Sequence, residues 1–439
     1  MSTINTNFIV SPRWILPVIP RNSLLENHSL VVIENKIAHI LPTTDIPEKY
    51  QELTHLELPN QLLLPGLVNT HGHAAMALLR GYADDFELKT WLAEHIWPAE
   101  NRLVDFDFVY DGTTLAIAEM ICSGTTTVAD SYFFPDASAK AYIDHGFRAQ
   151  VGLPIIHFPN AWANTEEEHI NKGLGVRDSL KNQKLITPAL APHAPYSVTN
   201  AGFEQVRMYA EQLEMPIHLH LHETAAEVSD AIAETSKRPI QRMKELGILS
   251  PSLQAVHMTQ LIPQEINDLS QRQTHIAHCP VSNLKLSSGF CPASDLMSHN
   301  VNVALGTDGA ASNNNLDMIE EMKIAALMAK GMTGNASSLP IHQVIEMATI
   351  NGAKFLGLED KIGSLEPGKC ADMISVDLSA LKFQPMHNPA SDLLYAASGD
   401  QVCHVWIDGE HQLSNRTLTN MDTARVRANA RQWQAKILS

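Results

Sequence analysis

His71 and His73 stand two residues apart where the apolar run Leu62-Leu63-Leu64-Pro65-Gly66-Leu67-Val68 gives way to Asn69-Thr70-His71-Gly72-His73. Residues i and i+2 of an extended strand face the same side, so both imidazoles can reach one ion. Zinc takes imidazole nitrogen readily, and a catalytic zinc normally keeps three protein ligands and a water. Further ligands are on offer in His218-Leu219-His220-Leu221-His222-Glu223, in Ala255-Val256-His257 and in Leu305-Gly306-Thr307-Asp308, each closing an apolar stretch. A lone His-x-His means little in a chain with 21 histidines. The ordered set His-x-His, His-x-x-Glu, His and Thr-Asp-Gly is far more specific.

Such an ion lowers the pKa of water to about 7, which makes hydrolysis its natural use. Glu223, three residues after His220, is the candidate acid and base, able to pass a proton between water and a substrate ring nitrogen or leaving group. The bland alternative is a solvated loop carboxylate. Strand alternation does not choose among His218, His220 and His222. Asp308 suits metal ligation, orientation of the water, or both, against the common role of Asp as a cap or turn residue. His257 suits a fourth ligand or a donor that polarises the attacked group, against simple burial. The segment Ala191-Pro192-His193-Ala194-Pro195-Tyr196 holds no lysine that could be carboxylated to bridge two metals, so one ion is expected.

The elements that must position these residues follow from periodicity. Short apolar runs alternate with longer amphipathic stretches such as residues 316–330, the rhythm of strand-helix units around a parallel sheet. Eight strands are expected to end near Val68, Ala129, Leu153, Ala191, Leu221, Val256, Ala277 and Gly306. In a TIM-like (β/α)8 barrel the active site lies at the C-terminal strand ends. His71, His73, His193, His220, His257, His278 and Asp308 all fall there. The chain ends read differently, as hairpins over residues 29–33, 37–41, 371–376 and 402–407, the last turning at Asp408-Gly409. The expected fold is therefore α/β: a barrel over residues 64–364, with a small β-sandwich domain built from residues 1–63 and 365–439, the latter including a final helix from about Asp422.

Composition narrows the function classes. Of 439 residues, 44% are hydrophobic and 18% charged, enough for a large core. A net charge of −17 works against a phosphate-backbone partner, so no nucleic acid is expected. Five widely spaced cysteines without a Cys-x-x-Cys pair suit a reducing cytoplasm. The start, Met1-Ser2-Thr3-Ile4-Asn5-Thr6-Asn7, lacks the basic and apolar regions of a signal peptide, and no apolar run approaches a membrane span. A soluble cytoplasmic protein without a membrane partner is expected; the oligomeric state stays open, a homo-oligomer included.

The motifs, taken together, resemble those of the amidohydrolase superfamily and, within it, of the 5'-methylthioadenosine/S-adenosylhomocysteine deaminase group. The resemblance rests on Asn69-Thr70-His71-Gly72-His73, Pro192-His193-Ala194-Pro195-Tyr196, His220-Leu221-His222-Glu223-Thr224, Pro280-Val281-Ser282-Asn283-Leu284-Lys285-Leu286 and residues 306–314. It implies one zinc per chain, with iron or manganese as substitutes, held by His71, His73, His220 and Asp308. It also implies that Glu223, His257 and Asp308 act in catalysis, that Trp91, Glu100, Arg148 and His193 join Glu223 and Asp308 around a small-molecule nucleoside, and that Glu100 meets ribose hydroxyls. The implied reaction is hydrolytic deamination of 5'-methylthioadenosine, adenosine or S-adenosylhomocysteine to the inosine analogue and ammonia. One departure is visible: where some members carry a second arginine after strand three, this chain reads Asn160-Ala161-Trp162-Ala163-Asn164-Thr165-Glu166-Glu167-Glu168, with Arg177 the nearest substitute. The competing readings are another heteroaromatic hydrolase, of guanine- or triazine-aminohydrolase or chlorohydrolase type, and a catalytically silent barrel serving as an interaction module. The cytidine-deaminase type is disfavoured, because its Pro-Cys-x-x-Cys is absent.

Overall fold

The computed structural model describes residues 6–438; Met1 to Asn5, part of the stretch weighed above as a signal, and Ser439 lie outside the described residues. Eight strands form one sheet in chain order: β1 Leu67–Gly72, β2 Thr125–Ser131, β3 Arg148–Ile155, β4 Ile186–Pro192, β5 Ile217–Leu221, β6 Leu253–His257, β7 His275–His278 and β8 Asn302–Leu305. The pairings from β3 through β8 are parallel. The last strand returns to the first: Thr70 donates its hydroxyl to the Leu305 carbonyl at 2.8 Å, and the Asp308 N–H donates to the His71 carbonyl at 3.0 Å. The sheet is thus a closed barrel.

β3 and β6 are buried along their whole length, as strands covered on both faces by neighbours must be. Helices follow the strands, and their starts are written in the sequence. Thr165, Thr199 and Thr224 each accept an N–H of the first turn of the helices Glu166–Ser179, Asn200–Leu213 and Ala225–Thr235.

The chain ends form a second sheet of nine strands, in which Phe8–Ile15 pairs in parallel with Thr54–Pro65, and Thr54–Pro65 in antiparallel with Met373–Asp377. This is the small β-domain expected from both ends of the chain. Register shifts interrupt four of its pairings, bending the sheet around a core of Val10, Ile15, Leu30, Leu63, Met373 and Trp406. Asp408 and Gly409, both left-handed (φ 49° and 78°), make the tight turn between Val402–Ile407 and Glu410–Ser414.

The chain divides into two compact units, one of residues up to 69, 118–127 and 317–422, the other of 70–117, 128–316 and 423 onward. The final helix, Thr423–Leu438, belongs to the second. Its buried Trp433 and Ile437 join a cluster with Trp91, Phe108 and Tyr132, and the Trp433 indole N–H donates to Asp111 at 2.8 Å. No helix among the described residues is long and apolar enough to cross a membrane.

Candidate metal centre and substrate cavity

The C-terminal strand ends bring His71, His73, His220, His257 and Asp308 together. Donor atoms of His71, His73 and His220 lie within 4.8 Å of one another, as do those of His71, His257 and Asp308. Asp308 Oδ1 is 3.2 Å from His71 Nε2 and 3.4 Å from His73 Nε2, and the Nε2 atoms of His73 and His220 are 3.3 Å apart.

The partners of each ring assign its tautomer. His73 Nδ1 can only donate to the Ser131 carbonyl, and His220 Nδ1 only to the His193 carbonyl. Gln254 Oε1 lies 3.3 Å from His218 Nδ1, and His218 Nε2 lies 2.8 Å from His71 Nδ1, a relay that places the His71 proton on Nδ1. Burial, the leading cause, pulls the His71 pKa down to about 4 and those of His218 and His220 well below the ordinary value. Neutral rings with protonated Nδ1 carry bare Nε2 atoms. The Nε2 atoms of His71, His73 and His220 therefore crowd together, the first two against Asp308 Oδ1, an arrangement that repels itself unless a cation sits among them, and the donor set suits zinc.

Asp308 offers its carboxylate to the same ion and is fixed from its other sides by hydrogen bonds. The Ser282 hydroxyl donates to Oδ2 at 2.6 Å and the Gly309 N–H to Oδ1 at 2.8 Å. Asn283, the next residue, accepts the His257 Nδ1 proton at 2.9 Å. Ser282 and Asn283 were visible in the sequence only as a motif after strand seven. Their work is to orient the aspartate and the histidine, as supporting shells around metal sites do.

Backbone turns aim these side chains. His222, His257 and Asp308 adopt φ of 54°, 72° and 64°, a left-handed region that non-glycine residues enter sparingly and that clusters at functional sites. At His222 the turn sends the ring away from the ion site, where its nitrogens meet the Gln260 carbonyl and the Ile240 N–H. Gly306 is needed for a different reason. A Cβ there would lie 2.7 Å from the His71 backbone nitrogen, so the strand carrying Asp308 can approach the first only without a side chain. Gly306→Ala is expected to cost about 1–3 kcal/mol, read as a lowered midpoint in urea unfolding; an unchanged midpoint would count against this close approach.

Glu223 Oε2 lies 3.8 Å from His257 Nε2, and Ser288 reaches Oε1 at 3.4 Å. Burial raises the Glu223 pKa above that of an exposed carboxylate, favouring uptake of a proton. Its backbone is fixed from two sides. Thr259 donates to its carbonyl at 2.6 Å, while Glu227 accepts the N–H groups of His222 and Glu223 at 3.1 and 2.6 Å. Glu227 sits in the first turn of its helix, reaching back as the acid of a capping box does.

A cavity of about 340 Å³ opens over this centre, within the range that holds small organic ligands. His73, His220, Glu223, His257 and Asp308 form its floor, and Trp91, Glu100, His193, Tyr132, Phe158 and Tyr196 line its sides. Trp91 is also packed into the apolar cluster and donates its indole N–H to the Ala83 carbonyl at 3.0 Å. His193 is braced by Ser197 at 2.9 Å. Glu100 is buried, its pKa pushed up to about 7 by that burial against the opposing hydrogen bond from Tyr132.

Arg148 is not brought to this cavity. It opens β3 at the N-terminal end, whereas the cavity touches the chain at Pro154 and Ile156, roughly 20 Å along an extended strand. Arg177 is absent from the lining as well and pairs with Asp178 at 2.8 Å. Among the described residues lining the cavity there is no lysine or arginine. Tyr132, which sequence reasoning missed, announced itself only by following strand two.

Comparison with known proteins agrees with the geometry. The model of the amidohydrolase family matches residues 62–411. Proteins from Teredinibacter turnerae and Saccharophagus degradans, each called 5-methylthioadenosine/S-adenosylhomocysteine deaminase, are both 48% identical to this chain, the first over 99% of both chains, the second over 98% of this chain and 97% of its own. A crystal structure of an adenosine deaminase from Xanthomonas campestris with bound zinc superposes with a TM-score of 0.95, at 48% identity and 98% coverage of each chain.

Proposed function

Because this chain belongs to the amidohydrolase family, we propose that it is a metal-dependent aminohydrolase that deaminates an adenine nucleoside, 5'-methylthioadenosine or adenosine foremost, to the inosine analogue and ammonia. The observation that carries the reading is the convergence of three bare imidazole nitrogens and a carboxylate beneath a cavity that also holds Glu223 and Glu100. The names borne by the relatives at 48% identity support it.

In this reading His71, His73, His220 and Asp308 hold one zinc, with His257 beside it. An ion so held acidifies water and makes hydroxide available near neutral pH. Glu223 takes a proton from the attacking water and delivers it to the purine nitrogen next to the amino-bearing carbon, then moves the proton of the newly attached hydroxyl to the amino group, which leaves as ammonia while the carbonyl forms. Asn283 keeps the His257 Nδ1 proton engaged, so that Nε2 faces the reacting centre. Trp91 and the other aromatic walls exclude water, and Glu100 accepts hydroxyls of the ribose. The five free thiols support a reducing cytoplasm as the compartment.

The deciding assay presents adenosine, methylthioadenosine, S-adenosylhomocysteine, guanine and a chlorotriazine to the metal-loaded protein and measures released ammonia or chloride. Turnover of guanine or the triazine in preference to every nucleoside would favour the other heteroaromatic hydrolases. Within the nucleosides, methylthioadenosine or adenosine is expected to exceed S-adenosylhomocysteine in kcat/KM by roughly tenfold or more. The homocysteine carboxylate finds no cationic side chain in the lining and forgoes a charge-assisted contact of ~1.5–3 kcal/mol. Parallel kinetics with S-adenosylhomocysteine as the best substrate would contradict this view of the cavity.

A further inference from the structure

Strand β2 ends at Ser131, and that residue and the one after it serve different parts of the site. The Ser131 carbonyl accepts the His73 Nδ1 proton, and the next residue, Tyr132, donates its phenol to Glu100 Oε1 at 2.7 Å. Tyr132 and Glu100 are both 7% exposed. The Tyr132 ring is gripped by the apolar cluster containing Trp91, Ala75 and Leu79 and lies tilted against Phe133, so its hydroxyl has little freedom to leave. Glu100, by contrast, projects from a helix of seven residues, Trp97–Leu103, and both side chains line the substrate cavity.

A carboxylate that is to receive two neighbouring hydroxyls must present its acceptor sites in one fixed plane. A phenol on one oxygen sets that plane and leaves the other oxygen, and the second lone pair of the first, to the ligand. We propose that Tyr132 is a specificity-determining positioning residue, which by donating to Glu100 makes that carboxylate a receptor for the vicinal ribose hydroxyls. Selection of a ribosyl substrate over its dideoxy counterpart then depends on Tyr132 as well as on Glu100. This inference rests on the nucleoside-deaminase reading and on Glu100 as the acid that meets the sugar. Burial alone drives Glu100 toward its neutral form, and the phenol opposes that drift, which agrees with the geometry.

The test compares adenosine with 2',3'-dideoxyadenosine in the zinc-loaded wild type, Tyr132→Phe, Glu100→Gln and the double variant, with ion content measured for each. Phenylalanine keeps the packed ring and removes only the hydroxyl. The expected result is that Tyr132→Phe lowers the ratio of kcat/KM for adenosine to that for dideoxyadenosine by about fivefold, mostly through KM. In the Glu100→Gln background the same change should move the ratio by less than about twofold, because the two residues act as one. Equal losses on both substrates, or an unchanged ratio, would overturn the inference and leave the deaminase reading standing. A wild type that turns over neither nucleoside, while hydrolysing another heteroaromatic compound, would overturn the deaminase reading itself and this inference with it.

Discussion

Stripping the ion with a strong chelator is expected to lower deamination by roughly a thousandfold or more, and adding back about one equivalent of zinc per chain to restore it. The size of the effect follows from what the ion supplies. Lewis-acid stabilisation and acidified water are worth several kcal/mol of barrier, and each 1.36 kcal/mol is tenfold in rate. The stoichiometry follows from the donors. His71, His73 and His220 form one group of donors, Asp308 reaches the first two, and the cavity above them holds no lysine to bridge a second ion. His73→Ala should reproduce the loss without unfolding the chain, since His73 is only partly buried and its hydrogen bond to the Ser131 carbonyl is easily replaced by water. Elemental analysis alongside activity decides the matter: two tightly held ions per chain, with turnover rising in step with the second, would sink the mononuclear assignment.

Glu223→Gln should keep the ion and the fold yet lose ~10²–10⁴ in kcat. The amide preserves shape and the contacts at the backbone, where Thr259 and Glu227 hold the turn. It cannot take a proton from water or pass one to a ring nitrogen. The raised pKa of Glu223, caused first by burial, favours uptake of a proton by this carboxyl. The drop should fall on kcat more than on KM, because the lost interaction belongs to the transition state. A variant with nearly wild-type kcat and unaltered metal content would remove Glu223 from the proton relay.

The amino-acid sequence by itself determined the architecture and the side of the molecule where chemistry happens. Short apolar runs spaced by amphipathic stretches specify eight parallel strands, and parallel strands joined by helices present all their C-terminal ends on one face. Histidines and aspartate placed just after those runs must then meet. Tertiary structure decided what alternation leaves degenerate. His218, His220 and His222 share a strand parity, yet one accepts the His71 Nδ1 proton, one faces the ion site, and one is swung aside by a left-handed turn. Strand geometry sets the side of a residue but not its depth, so Arg148, at the start of its strand, lies far from the cavity that its motif suggested. Tautomers, and with them the direction of every lone pair, depend on carbonyls and amides contributed by other segments of the chain: Ser131, His193, Gln254 and Asn283. The final helix shows the same limit. Its richness in Arg, Ala and Gln predicts a helix, but only long-range burial of Trp433 and Ile437 decided that it packs in the unit carrying the site.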